Sequence, residues 1–220
     1  MCGKFTQLSS WKEVHAFSQP LLLRAPADEI VMATPMMFAQ VLRLNADGAR
    51  EVSPMRWGFS DRRAPNPARP KHMHARAETI DTAPTFAPAF AMARGVLLTH
   101  TFNIGQTLPS GKTKQWTVTP KDGRPLAMAV IYERWENGPE SLLTFVMVTV
   151  PANAPIARVT DRMPAILAPE EWPAWLGETG ASNEEAKTLL RTVEDEGGWD
   201  MSEQSAQDRA RKTAWQPTLL

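Results

Sequence analysis

The chain has 220 residues, 43% hydrophobic and 22% charged, with Lys+Arg and Asp+Glu at 24 each. Such ordinary usage excludes a fibrous repeat or a disordered chain, and the zero net charge excludes a globally basic nucleic-acid binder, so any such contact must come from a local patch. The 19 prolines and 8 tryptophans favour short strands and many turns, with the indoles used in packing.

In chain order, Ser10-x-x-Glu13 reads as a capping box opening a short helix to about Phe17. Met37 to Leu44 and Ala49 to Trp57 flank Asn45-Ala46-Asp47-Gly48, which predicts a hairpin. From Arg56 to Arg76 the chain is basic (Arg56, Arg62, Arg63, Arg69, Lys71, Arg76) with Pro65, Pro67 and Pro70 interleaved, an extended loop rather than a helix. Phe86 to Met92 suits a short helix. Gly95–Phe102, Lys112–Val118, Leu126–Tyr132 and Leu142–Val150 read as strands, the last apolar on both faces and so central and buried. Asp122-Gly123 marks a turn. A short helix follows at Pro169–Trp175, and Ser182-x-x-Glu185 caps another from Asn183 to about Glu194, stopped by Gly197-Gly198. Beyond it a loosely held polar tail is expected. The sum is an α+β chain of one domain over 1–220, with its core at about 1–176.

No apolar run approaches the ~20 residues of a spanning helix, and MCGKFTQLSSWKEVHAF lacks the apolar centre of a secretory signal. One cysteine and four histidines make no disulfide or zinc framework, so neither metal nor cofactor is expected. Cys2 is the chemically distinctive residue. Removal of Met1 would leave a free amine beside its thiol, and a 1,2-aminothiol condenses with an aldehyde to an imine and then a thiazolidine. An α-amine titrates near ~8 and a thiol near ~8.5, so both nucleophiles are accessible at neutral pH. In His74-Ala75-Arg76-Ala77-Glu78-Thr79, Arg76 has the fork geometry for a phosphate and Glu78 is placed to hold it, although the same pair also suits a plain surface ion pair. Thr160-Asp161-Arg162-Met163-Pro164 reads as a turn with an Asp–Arg pair. Trp57 is the aromatic positioned to stack a base beside the basic loop.

Met1-Cys2-Gly3-Lys4-Phe5, Arg56-Trp57-Gly58-Phe59, Ala75-Arg76-Ala77-Glu78-Thr79 and Asp161-Arg162-Met163-Pro164, in that order, resemble the SOS-response-associated peptidase (SRAP) family, whose strings read MCGR(F/Y), WG(L/Y), NAR(A/V)ET, GFYEW and H(D/H)RMP. Pro84, Phe86 and Arg94 keep family-like spacing, and Leu126 to Glu133 resembles the strand ending AGLWE. The resemblance covers about residues 1–176 and leaves 177–220 as a divergent helix and tail. It implies a mixed, largely antiparallel barrel-like sheet with short peripheral helices. It also implies a protein that senses abasic sites in single-stranded DNA and forms a thiazolidine crosslink through Cys2. On that resemblance Cys2 is the nucleophile. Arg76, Trp57, Arg56, Arg62, Arg63 and Arg162 face DNA, and Glu78 supports them. The expected setting is a cytoplasmic monomer, nucleoid-associated when bound to DNA.

Three positions depart from the family. His74 stands for its Asn, Gly105 for its Glu and Thr160 for its His; neither Gly nor Thr is a general base near neutral pH. His74 or His100 then becomes the replacement proton carrier. The alternatives are a divergent relative that binds DNA without covalent chemistry, and an amino-terminal-cysteine peptidase or amidohydrolase, which would need a base for the thiol.

Overall fold

The computed structural model describes residues 2–7, 31–60, 67, 70–194 and 198–204. The predicted helix at Ser10–Phe17 and the cations Arg62, Arg63 and Arg69 lie outside them. The strands, in chain order, are β1 (Cys2–Gln7), β2 (Val31–Ala33), β3 (Phe38–Leu44), β4 (Arg50–Trp57), β5 (His74–Arg76), β6 (Arg94–Thr99), β7 (Thr101–Thr107), β8 (Thr113–Pro120), β9 (Leu126–Asn137), β10 (Glu140–Pro151), β11 (Arg162–Pro164) and β12 (Trp199–Glu203). They form two sheets. One runs β12-β8-β7-β1-β2; the other runs β11-β10-β4-β3-β6-β9 and curls into a ring because β9 also pairs with β10. The fold is α+β with a mostly antiparallel sheet, as the sequence implies.

The β3–β4 hairpin forms where the Asp-Gly signal places it. The Asn45 side-chain oxygen accepts from the backbone of Asp47 and Ala49 at 3.0 and 2.9 Å, and Gly48 takes the positive φ of 76° that closes the turn. β10 is the central strand. It pairs with β9 antiparallel, with β4 and β5 in parallel, and with β11 at its far end. Residues 144–150 are accordingly buried throughout, which is why no alternation shows in that stretch.

Three elements differ from expectation. The apolar run from Gly95 to Phe102 is two strands, β6 in one sheet and β7 in the other, with the corner at His100. The helix from Asn183 ends at Thr188. Its capping box is present, with Ser182 N–H donating to Glu185 at 2.7 Å and Glu185 N–H to Ser182 at 3.2 Å. After it, Thr192 Oγ1 donates to the Pro151 carbonyl at 2.8 Å and Asn153 Nδ2 to that of Val193 at 3.0 Å, tying the chain across the barrel end instead. Past Gly198, where a loose tail is expected, Trp199–Glu203 is a strand on β8 whose indole meets Phe102 edge-on at 6.0 Å. The short helices Ala87–Met92 and Trp172–Leu176 pack outside, joined by Arg94, which donates to the carbonyls of Trp175 (2.5 Å) and Phe90 (3.0 Å) and to Asn183 (2.8 Å). Among the described residues no helix is long and apolar enough to cross a membrane.

Gly58 explains how the basic segment leaves β4. Its φ is 113°, and a Cβ there would lie 2.5 Å from Pro70 Cβ and 2.9 Å from Met73 Sδ. Only glycine permits both the conformation and the close return of the chain over β4.

Candidate functional site

Cys2 opens β1 opposite Ile104 of β7, with a bulge before Lys4. Its side chain is only 1% exposed. The thiol donates to the Lys4 carbonyl at 3.4 Å. Burial pushes its pKa from 9.0 up to about 11, only partly offset by backbone hydrogen bonds of Lys4 and Asn103 and by the amino-terminal charge. The thiol is therefore neutral near pH 7.

His74 begins β5, in register with Met147 of β10. Its Nε2 lies 2.6 Å from the Cys2 carbonyl oxygen. A carbonyl only accepts, so Nε2 carries the proton and Nδ1 is the basic nitrogen. Desolvation pulls His74 down to about 4, against the raising effect of that hydrogen bond. It is a neutral imidazole at pH 7, tied to the main chain of the cysteine. The structure brings His74 and Cys2 together through this contact.

Trp57 does not face DNA, contrary to what the resemblance implies; it is enclosed. It is 0% exposed, its indole N–H donates to the Met73 carbonyl at 2.9 Å, and its ring lies against Phe5 (5.2 Å), Phe145 (6.3 Å) and the edge of His74 (5.8 Å). It cannot stack a base. Arg56 is likewise interior, 7% exposed, donating to Ser60 at 2.6 Å, and Ser60 in turn donates to the Pro67 carbonyl at 2.8 Å. Burial lowers the pKa of that guanidinium. It braces the return of the chain rather than meeting a ligand.

Glu78 holds an arginine, but a different one from that expected. In the 3-10 turn Ala77–Thr79, its carboxylate takes a two-pronged bond from Arg162, which also donates to the Thr149 carbonyl at 2.6 Å. The hydrogen bond from Arg162 is the main cause that holds Glu78 below the usual carboxylate range. Arg162, 9% exposed, is thereby committed to Glu78 and β10. Arg76 is exposed on β5, two residues from His74 and on the same face; its side chain makes no hydrogen bond or ion pair among the described residues, and its charge adds a small part to the lowering of Glu78.

Of the remaining positions, Thr160 is half-buried beside Asp161, its hydroxyl 3.4 Å from that carboxylate. Gly105 follows Ile104 on β7; a Cβ there would meet Thr113 Cγ2 at 2.9 Å and Gln115 Nε2 at 3.3 Å. A side chain at 105 would thus displace its neighbours on β8. His100 sits at the corner before β7, its backbone N–H donating to Thr6 and its Nδ1 buried; among the described residues that nitrogen has no hydrogen-bond partner and nothing joins it to Cys2. No cluster of His, Cys, Asp or Glu among the described residues is arranged to hold a metal. Sequence reasoning missed Asn103 beside the sulfur and Thr149 behind Arg162, since both act through backbone register rather than motif.

A strand-borne cysteine at position 2, a half-buried imidazole on its carbonyl and, two residues along β5, an arginine whose side chain has no bonded partner among the described residues lie together in an α+β fold. Residues 1–205 match the family described as SOS response associated peptidase (SRAP), and the chain belongs to that family. The abasic site processing proteins YoqW and YobE of Bacillus subtilis (strain 168) are similar to it. YoqW is 27% identical over 197 residues, 87% of either chain. YobE is 26% identical over 195 residues, 86% of this chain and 88% of its own. Among solved structures, a protein from Bacteroides thetaiotaomicron superposes with a TM-score of 0.79 at 22% identity, covering 99% of this chain and 97% of the other. A phage-related protein from Bordetella bronchiseptica gives 0.73 at 21%, covering 92% and 93%. Both share the fold.

Proposed function

We propose that this chain processes abasic sites in single-stranded DNA by covalent capture of the sugar aldehyde on Cys2. Met1 is first removed. The Cys2 amine then adds to the ring-opened aldehyde and water leaves, giving an imine. The sulfur adds to the imine carbon while its proton goes to the nitrogen, closing a thiazolidine. Aldehyde carbon ends bonded to both N and S, and one water is the only by-product. The observation that carries this reading is the 2.6 Å contact between His74 Nε2 and the Cys2 carbonyl, which ties the main chain of Cys2 to a neutral imidazole. Positioning of this kind lowers a bimolecular barrier substantially. With the thiol held protonated, closure needs a group to relay its proton, and His74 is an ionisable side chain that touches Cys2, at its carbonyl. Arg76 supplies the phosphate contact. The names of the Bacillus relatives support the substrate.

Burial of the sulfur favours a second reading, in which the chain binds DNA without bonding to it. The covalent reading requires that excision of Met1 open the thiol to the sugar. The two separate on one gel. Incubation with an abasic single-stranded oligonucleotide gives a denaturation-resistant slow band in the covalent case, lost in Cys2→Ala, with intact mass showing the absence of Met1. Binding in a native gel with no such band leaves the non-covalent reading standing. A peptidase would instead release a peptide reporter in a Cys2-dependent way, and a thiol at about 11 is poorly suited to that attack.

A further inference from the structure

Trp57 is enclosed, but the β7–β8 hairpin presents another tryptophan, Trp116. β7 and β8 continue beyond Cys2, since Ile104 is the partner of Cys2 while Gln106 pairs with Lys114 and Thr107 with Thr113. The hairpin thus overhangs the amino end by about three residues, roughly 10 Å. Its tip is closed by Leu108 N–H to Lys112 O at 2.8 Å and Gly111 N–H to Leu108 O at 2.9 Å. Trp116 is the partner of Ile104, so Cys2, Ile104 and Trp116 line one face of the sheet, side by side. Trp116 is half-buried. Its indole N–H is held by Gln106 Oε1 at 3.3 Å, and the Lys114 ammonium sits 4.8 Å over its ring. Lys114 is anchored by Glu203 at 2.8 Å in a pair whose acid is 54% exposed, the kind of contact that contributes little and exchanges readily. Lys112 is exposed at the hairpin tip.

We propose that Trp116 and Lys114, with Lys112, form the subsite for the nucleotide flanking the lesion. The base lies against the indole, and the ammonium it displaces moves from Glu203 to the adjoining phosphate. This rests on the DNA reading above. Each element is present before binding: a tryptophan fixed in orientation, a cation already at its face, and a register that sets both two strands from the sulfur. Base–aromatic stacking tolerates any sequence, which suits a site defined by a missing base.

The test uses the full chain and undamaged oligo(dT), read by tryptophan fluorescence and by salt titration. Trp116→Ala lowers affinity about tenfold. Trp116→Phe keeps it within about threefold while removing a share of the fluorescence quench, a signal that a merely packed indole would not supply. Lys114→Ala reduces the salt slope by about 0.7, one single-strand phosphate contact. Wild-type affinity in Trp116→Ala overturns the subsite and leaves the DNA reading intact. So does a Trp116→Phe variant with an unchanged quench. A wild type that binds no oligo(dT) overturns both.

Discussion

The strings Arg56-Trp57-Gly58 and His74-Ala75-Arg76-Ala77-Glu78 lie on the same side of the same strand. β4 meets β10 at Thr144–Phe145 and β5 meets it a few residues on, at Met147–Thr149, both in parallel. Their fates are opposite. After Trp57, Gly58 turns the chain back so that Pro70 and Met73 close over it, and both Arg56 and Trp57 become interior. After Arg76 the chain enters a 3-10 turn that carries Glu78 to Arg162, and Arg76 is left at the open edge. The same residue types thus build the barrel in one string and face solvent in the other. A motif shared with a family marks what the fold needs as well as what the chemistry needs.

The largest expected effect lies in the interior string. Trp57→Ala removes an indole packed on Phe5 and Phe145 and breaks its bond to Met73, costing about 3–5 kcal/mol in urea unfolding. Affinity per folded molecule is expected to stay near wild type. If stability held while DNA binding vanished, Trp57 would belong with the open string.

His74 opens the second string and meets Trp57 of the first edge-on at 5.8 Å, and its titration sharpens the comparison. Its folded pKa of about 4 lies below the ordinary 6.5. Above 6.5 it is neutral in both states and its contribution is full. As pH falls from 6.5 toward 4, the unfolded chain takes up a proton that the folded chain refuses, and stability drops by about 3 kcal/mol. Cys2 acts at the other end. Raised from 9.0 to about 11, it removes stability as pH climbs through that window, where the unfolded thiol ionises first. His74→Gln is expected to flatten the acid limb and leave the alkaline limb in place. An acid limb unchanged by that substitution would place the titration on another group.

What was legible in the sequence follows the same division. Local turn chemistry was plain: Asn45 and Gly48 at the hairpin, Ser182 and Glu185 at the helix cap. So was the buried run of β10, because length and composition carry that signal without periodicity. The corner at His100 was hidden, since the apolar run passes unbroken from one sheet to the other. β12 was hidden as well; its side chains alternate only weakly, and its pairing with β8 depends on register across the molecule. At the site, the cysteine and its histidine were visible as residue types. The sequence offered no sign that Glu78 would choose Arg162 over Arg76, a choice made by β11 pairing at Pro151 on β10. Trp116 follows Lys112 and Lys114 closely in the sequence, but only the pleat of β8, which puts Lys114 and Trp116 on one face, brings the ammonium over the ring.

The smallest effect belongs to Arg76 and decides whether the open string serves DNA. Its side chain is exposed and makes no bond among the described residues, so Arg76→Ala is expected to change stability by less than about 0.5 kcal/mol. Loss of one phosphate contact then lowers the single-strand salt slope by about 0.7, with an affinity loss of about five- to tenfold at low salt. Arg76→Lys keeps the charge but not the fork, and recovers the slope more fully than the affinity. A stability loss above about 1 kcal/mol with an unchanged slope would give Arg76 the role Arg162 plays, a brace, and the contrast between the two strings would vanish.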